Sequence, residues 1–145
     1  MKQILVYAFF CIFVMTNLVC GFNYNVIMET GDDFLNASAT VIAMLRDPGK
    51  VDKVSLTPVS PIAIEKLSQY SFTVNSIIQT TRLSGFSLQW ISEGDESTND
   101  ILVRNVTITP LYLANPKIRK HFTKTFCTHF NETIPEKVIH KFNKC

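Results

Sequence analysis

The sequence predicts an α+β fold, an antiparallel sheet packed by an N-terminal helix and followed by C-terminal helical segments. Three observations indicate this. Apolar residues recur at helical spacing before residue 46, β-branched and alternating residues fill positions 72–109, and helix-capping signals follow residue 115. Blocks of helix and strand, rather than strict alternation, favour α+β. The 145 residues suffice for one domain.

Residues 1–21 are expected to form a signal peptide that is removed, leaving residues 22–145 as a single globular domain. Lys2 precedes twelve uninterrupted apolar or aromatic residues, and small residues follow near position 20. The alternative is an uncleaved anchor, but Thr16 and Asn17 interrupt the run before it reaches about 20 residues. The chain is therefore predicted to be secreted and extracellular, with no membrane span.

The first half of the mature chain is predicted to contain a short edge strand over residues 22–28 and then a helix. Asp32 and Asp33 suit the first turn of that helix, and the Pro-Gly pair at 48–49 ends it. A second helix is expected over residues 62–70. The buried face of the first helix is expected to carry Phe34, Ala37, Val41, Met44 and Leu45.

The middle of the chain is predicted to be β. Strands are expected over residues 72–81, 86–90 and 101–109, and the acidic stretch 93–100 reads as the loop between the last two. Since Asn105 lies in an Asn-x-Thr sequon, its face of the strand is expected to point outward and Val106 inward.

The last part of the chain is predicted to be helical. Asn115 followed by Pro116 indicates a helix start, and four apolar residues spaced by four suggest that the helix reaches about Cys127; they are Ile118, Phe122, Phe126 and Phe130. A strand over 122–126 is the alternative, because the residues between are weak helix formers. Thr133 and Glu136 have the spacing of a capping box, which predicts a short helix ending near Phe142.

Two kinds of covalent modification are expected outside the cell. Cys127 and Cys145 remain after the leader is removed, and we predict a disulfide between them in a monomer; pairing of Cys145 with another chain is the alternative. Asn36, Asn105 and Asn131 each begin an Asn-x-Ser/Thr sequon and are predicted glycosylation sites. Asn131 is expected on an exposed bend.

No catalytic residue, metal site or cofactor is predicted. His121, His129 and His140 lie near the two cysteines, but their spacing does not match that of zinc ligands, and oxidised thiols do not bind zinc. The carboxylates of residues 93–100 are interpreted as solvated charge. The sequence around Ser84 lacks the first glycine of a nucleophile elbow.

The charge is unevenly distributed along the chain. Residues 22–103 contain 5 basic and 10 acidic side chains, whereas residues 104–145 contain 8 and 2. A basic cluster of Lys117, Arg119, Lys120, His121 and Lys124 is either a solvated helix face or a docking surface for an acidic partner, an anionic glycan or a lipid headgroup. A net charge of +2 disfavours nucleic-acid binding.

The layout of residues 32–110 resembles small secreted nematode proteins with an α+β roll of the nuclear-transport-factor-like or cystatin-like kind. The resemblance lies in the helix start at Asp33-Phe34-Leu35, the Pro-Gly break and the long strands that follow. It implies a secreted, non-catalytic protein. The Gln-x-Val-x-Gly loop and paired disulfides of cystatins are missing, so protease inhibition is not expected.

The function predicted from the sequence is that of a secreted small glycoprotein, a non-catalytic binding module for an apolar ligand or an extracellular partner. An apolar ligand would occupy a cleft between the helix over 34–45 and the strand that carries Phe86, Leu88 and Trp90. The alternative is a small secreted hydrolase with an unrecognised site, in which one of the three histidines acts as the base.

Overall fold

Alternation of buried and exposed side chains runs through most of the chain and makes it a β protein. The computed structural model describes residues 21–31, 38–57, 62–65, 67–92, 102–128, 134–135 and 137–145. The elements within them are β1 (Phe22–Thr30), β2 (Ser38–Asp47), β3 (Lys50–Ser55), β4 (Ile62–Ala63), β5 (Gln69–Ser76), β6 (Gly85–Ser92), β7 (Val103–Pro110), α1 (Pro116–Phe122), β8 (Lys124–Cys127) and β9 (His140–Lys144).

The strands form one antiparallel sheet in the order β3-β2-β6-β9-β8-β7-β1-β5, and the short β4 pairs with the start of β2. Within β1, Val26 lies between Phe72 of β5 and Ile108 of β7. β9 pairs with β6 on one side and with β8 on the other. It therefore joins two four-stranded halves into a single sheet.

The sheet curls until its two end strands, β3 and β5, contact each other. The Ser76 hydroxyl on β5 donates a 2.6 Å hydrogen bond to Oδ2 of Asp52 on β3, and the Ile77 backbone N–H donates to the same oxygen at 2.9 Å. These bonds nearly close the sheet into a barrel, which leaves fewer strand edges open to other chains.

The interior of the barrel is filled by side chains from every long strand. Trp90 is fully buried, and its indole N–H donates a 2.8 Å hydrogen bond to the Ile134 carbonyl. Tyr24 is also fully buried, and its hydroxyl donates to the Ile78 carbonyl at 2.6 Å. Both polar tips are thus satisfied inside an apolar core. The largest of the other fully buried side chains are Phe86, Phe126, Met28, Met44, Leu45, Leu56, Ile64, Ile78 and Leu88.

The predicted α+β class is wrong, because the protein is mostly antiparallel β and its described residues contain a single short helix. The predicted N-terminal helix is strand β2 from residue 38 onward, between β3 and β6. Residues 32–37 lie outside the described residues. Helical spacing misled because both faces of β2 carry apolar side chains; Val41 and Met44 are both buried although a strand points them in opposite directions.

The second predicted helix, over residues 62–70, is also wrong. Ile62 and Ala63 pair with β2, and residue 69 begins β5. Between them Leu67 has a left-handed backbone with φ of 51°. The Thr30 side chain fixes this bend, since its hydroxyl oxygen accepts from the Ser68 N–H at 2.9 Å. Hydrogen bonds to distant residues therefore determine the structure here, against the helical pattern of residues 62–70.

The C-terminal half contains less helix than predicted. α1 begins at Pro116 as expected but ends at Phe122, and the strand alternative is correct for β8. The final predicted helix, from the capping box to Phe142, is not helical in its described residues; strand β9 begins at His140 and buries Phe142 between β6 and β8. Short strands that pair over two or three residues have too few alternations to be recognised from sequence.

Several sequence predictions are confirmed. The three predicted central strands correspond to β5, β6 and β7, and on β7 Val106 and Ile108 are buried while Asn105 lies on the outward face. Residues 22–28 are a strand, but β1 is flanked on both sides and is not an edge. The tail after Phe142 is non-helical, as predicted.

Candidate binding surface

Several strands begin or end at the end of the barrel that carries α1. β2 ends there and β3 begins there, because Asp47 pairs with Lys50. The loop before β6 lies beside them, since the Ser84 N–H donates to the Arg46 carbonyl at 2.8 Å. Besides Arg46 and Arg82, six cationic side chains lie at this end, which we call the basic end; they are Lys50, Lys117, Arg119, Lys120, Lys124 and Lys144.

α1 is a seven-residue helix with a defined start. Asn115 is its N-cap, and Oδ1 of Asn115 accepts from the Lys117 N–H at 2.9 Å and from the Ile118 N–H at 3.4 Å. Pro116 suits the first turn because its ring fixes φ and its missing N–H would be unpaired there. The helix buries none of its side chains completely. It thus serves as a surface element and not as part of the core.

Hydrogen bonds attach α1 to the barrel. The Thr80 hydroxyl, in the loop between β5 and β6, donates to the Phe122 carbonyl at 3.0 Å. The Thr80 backbone N–H donates to the Tyr112 hydroxyl at 3.2 Å, just before the helix. Arg119 reaches back within its own segment, where its Nε donates to the Leu113 carbonyl at 3.0 Å. The orientation of the helix on the barrel is therefore fixed at both of its ends.

The carboxylates near the basic end are occupied by other groups. Asp47 is buried, and its Oδ1 accepts from the Gly49 N–H at 2.7 Å while its Oδ2 lies 3.4 Å from Nε of Arg82. Asp52 is bound to β5 as described above. Lys50, Lys117, Lys120 and Lys144 are exposed, and no carboxylate of the described residues forms an ion pair with them. These four lysines therefore have no ion-pair partner within the described part of the chain.

Lys124 lies partly buried at the basic end, close enough to Lys144 to be affected by its charge. Its ammonium donates a 2.5 Å hydrogen bond to the Leu83 carbonyl. Partial burial, and secondly the charge of Lys144, lower the pKa of Lys124 from its usual range. Burial is the larger cause, and repulsion between the two ammonium groups adds to it. An anion placed near both would be favoured electrostatically.

The predicted disulfide is present. Cys127, at the end of β8, is bonded to Cys145, with their Cα atoms 5.4 Å apart. β8 and β9 pair at two positions, one of which joins Cys127 and Asn143. The disulfide therefore reinforces a short strand pairing. The bond holds β9 in place beside the basic end.

Of the three sequons, only Asn105 lies among the described residues. It is partly exposed on β7, and its side-chain amide donates a 2.8 Å hydrogen bond to Oε2 of Glu29. Asn36, Asn131 and the acidic stretch 93–100 lie outside the described residues, as does the leader through residue 20.

The two histidines that the structure describes lie on different elements. His121 is exposed on α1, and His140 begins β9 opposite Leu88 of β6, whereas His129 is outside the described residues. No group of three potential metal ligands occurs among the residues that the structure describes. Nor does any helix in those residues have the length and apolar character needed to cross a bilayer.

The apolar cleft expected from sequence does not have the predicted walls. The helix that was to cover it is strand β2, and Phe86, Leu88 and Trp90 are buried in the core. At the end of the barrel away from α1, a cleft of ≈ 170 Å³ is lined by Glu29, Thr30, Leu67, Ser68, Gln69 and Arg104. That cleft is smaller than the roughly 300 Å³ at which small-molecule pockets begin.

The sequence located only part of the basic end. The cluster around α1 was identified from residues that are adjacent in the chain. Lys50 and Lys144 were missed, because they reach the same end of the barrel only through the order of the strands. The one local signal was the tight turn at 48–49, which places Lys50 at a strand terminus.

Comparison with known proteins identifies the fold alone. No family model and no curated protein matches the sequence. Among solved structures, the chain is similar to part of Delta413-417:GS LOX, a lipoxygenase, with a TM-score of 0.55 and 18% identity. The same protein in complex with arachidonate gives a TM-score of 0.56 and 18% identity. In both cases the match covers 85% of this chain and 16% of the other.

Proposed function

We propose that this protein is a secreted small glycoprotein, a non-catalytic binding module that contacts an extracellular partner through the basic end. The observation that carries the proposal is the set of exposed, unpaired cations which strand order and α1 bring to one end of the barrel. An exposed field of one sign attracts partners of the opposite sign and speeds their association.

Binding on the surface is favoured over binding in the interior. Large aromatic side chains, among them Trp90 and Tyr24, occupy the barrel core and are fully buried. An apolar ligand would have to displace them, and the cleft at the far end is too small for a lipid. Of the two ligand classes predicted from sequence, the extracellular partner is therefore the one we propose.

Support for secretion comes from the chain itself. A leader-like segment precedes the domain, three sequons follow it, and the structure contains a Cys127–Cys145 disulfide, a bond that persists in oxidising compartments.

The proposal is tested by expressing the full chain with its own leader in cultured animal cells. We expect the protein in the medium, beginning at residue 21 or 22, with N-linked glycan attached. The labelled protein should bind to cell surfaces saturably, and the exposed α1 pair Lys117→Glu/Lys120→Glu should abolish most of this binding. A matched control pair, Lys53→Glu/Lys141→Glu, reverses two exposed charges on β3 and β9 away from α1 and should retain it.

Three results would contradict the proposal. They are retention of the protein inside the cell, absence of saturable binding, and turnover of generic ester, peptide, phosphate or glycoside substrates that is lost in His121→Ala or His140→Ala. Titration with fatty acids, followed by Trp90 fluorescence, should produce no change; a saturable change would instead indicate an apolar ligand in the interior.

A further inference from the structure

We infer that the partner of the basic end is a sulfated polysaccharide chain, which would lie across the barrel end and contact cations from separate segments. This inference rests on the proposed function and names the chemical class of its ligand. It follows from how the cations are distributed, from what surrounds them, and from which other side chains share the surface.

The cations at the basic end come from separate elements of the fold. Lys50 follows the β2–β3 turn, Lys117 and Lys120 lie on α1, and Lys144 lies on β9. A small anion would be held by groups that surround a single point. A linear polyanion, with charges repeated along its length, matches cations that are spaced over several elements.

The positions of these cations are set by the fold. α1 is fastened to the barrel through Thr80, and β9 is fastened through Cys145. Asp47 and Asp52 make their contacts with other groups and form no ion pair with these lysines. A preorganised surface loses less conformational freedom on binding, which favours a flexible chain-like ligand.

Lys124 and Lys144 should also favour the binding of a sulfate group. The charge of Lys144 opposes that of Lys124, and Lys124 is also partly desolvated. A sulfate group near both ammonium groups would relieve this repulsion. Since sulfate esters remain ionised at all physiological pH values, the attraction would persist from acidic to neutral conditions.

The exposed apolar side chains at the basic end are aliphatic and come from separate segments of the chain. Four of them are between 37% and 49% exposed, namely Val51, Ile77, Leu111 and Ile118, whereas Leu67 is 60% exposed at the far end. None of these exposed residues is aromatic, and on α1 Ile118 stands between Lys117 and Arg119. Helices that bind at a lipid interface bury a broad apolar face that often carries Trp or Phe, whereas on α1 the exposed large hydrophobic residue is Ile118, set among cations. The vesicle experiment below tests this distinction.

The test uses the secreted full-length product and heparin oligosaccharides as the probe. We expect affinity to fall steeply with salt, as for other polyanion complexes in which bound counterions are released. Reversing Lys117 and Lys120 should lower the slope of log affinity against log salt by about two. The control pair Lys53→Glu/Lys141→Glu has the same net charge change and should leave the slope unchanged. Circular dichroism checks that each variant is folded.

Two further arms identify the ligand class. Completely desulfated heparin should bind at least about tenfold more weakly, because sulfates supply most of the charge. Vesicles of phosphatidylcholine with phosphatidylserine should bind weakly or not at all. Three results would overturn the inference. They are equal affinity for desulfated and native heparin, equal loss of heparin affinity in both charge-reversal pairs, and binding to vesicles but not to heparin. Cell-surface binding that depends on α1 but resists removal of sulfated glycans would overturn it and leave the proposed function standing.

Discussion

Asp52 of β3 accepts a hydrogen bond from Ser76 of β5, although these strands are the two ends of the sheet. The same carboxylate oxygen accepts the Ile77 N–H. No strand-to-strand ladder joins β3 and β5 among the described residues, so a single side chain supplies these contacts. The closure of the barrel therefore depends on one carboxylate more than on backbone pairing.

Replacing Asp52 with alanine should destabilise the protein by about 2 kcal/mol, because two hydrogen bonds to a charged acceptor are lost. Urea unfolding, followed by circular dichroism, measures the change. The neighbouring exposed Lys53→Ala provides the control and should change stability by less than about 0.5 kcal/mol. Equal effects of the two substitutions would show that Asp52 does not hold the end strands together.

Removing the disulfide should cost about 3 kcal/mol, the value expected for closing a loop of this length. The double variant Cys127→Ser/Cys145→Ser tests this in urea, with reduced wild-type protein as the matched control. Non-reduced peptide mapping should show the two cysteine peptides linked in monomeric protein. A disulfide-linked dimer on a gel, or a loss of less than about 1 kcal/mol, would contradict the prediction.

The protein should lose stability in alkaline solution through Tyr24. Burial, and secondly the neighbouring Tyr112, raise the pKa of Tyr24 far above its usual range. Below about pH 10 the hydroxyl is protonated in both folded and unfolded chains, but above it only the unfolded chain releases the proton. Between about pH 9 and about pH 11 this should cost about 1.4 kcal/mol.

The matched control for that experiment is Tyr24→Phe. It removes the titrating group and the hydrogen bond to the Ile78 carbonyl, so it should be less stable at neutral pH. Its loss of stability on going to alkaline pH should be smaller than that of the wild type. Parallel pH profiles for the two proteins would exclude Tyr24 as the source.

Trp90→Phe should destabilise the barrel by about 2 to 4 kcal/mol, because it leaves a cavity and an unpaired Ile134 carbonyl. Thermal unfolding measures this, and Phe22→Leu, at a partly buried position on β1, is the milder control. Trp90 is the only tryptophan, so its fluorescence reports on the core directly. Ready quenching of Trp90 by acrylamide in the folded protein would show that the core is not closed.

Each sequon should carry a glycan in protein secreted from animal cells. Single Asn→Gln variants at positions 36, 105 and 131 should each reduce the mass by one glycan, as measured by intact mass spectrometry. Asn105 is the sharpest case, because it lies on the outward face of β7 next to Glu29. An unchanged mass for Asn105→Gln would show that this strand position is not modified.

Sequence patterns identified the strands that alternate cleanly and failed for those that do not. On β7 buried Val106 and Ile108 alternate with partly exposed residues, and this strand was predicted correctly. On β2 burial reaches both faces, so the period of two is obscured and a helix was predicted instead. The Asn115-Pro116 start of α1 is a local signal and was recognised, whereas its end depended on β8 pairing with β7.

The candidate surface could be predicted only where its residues are adjacent in sequence. Lys117 and Lys120 are three residues apart on one helix, so their proximity is local. Lys50 lies 67 residues before Lys117, and strand order alone brings it to the same end. The Cys127–Cys145 disulfide was predicted without knowledge of the fold, because these are the two cysteines outside the predicted leader, and the structure contains that bond.

The central position of β9 has a consequence for synthesis. β9 follows both β6 and β8 in the chain, so each of those strands has one uncovered edge until β9 has been made and has paired. Open edges template pairing with other nascent chains. A premature stop codon before residue 140 would therefore leave two half-barrels with unpaired interior edges, instead of a slightly shortened barrel.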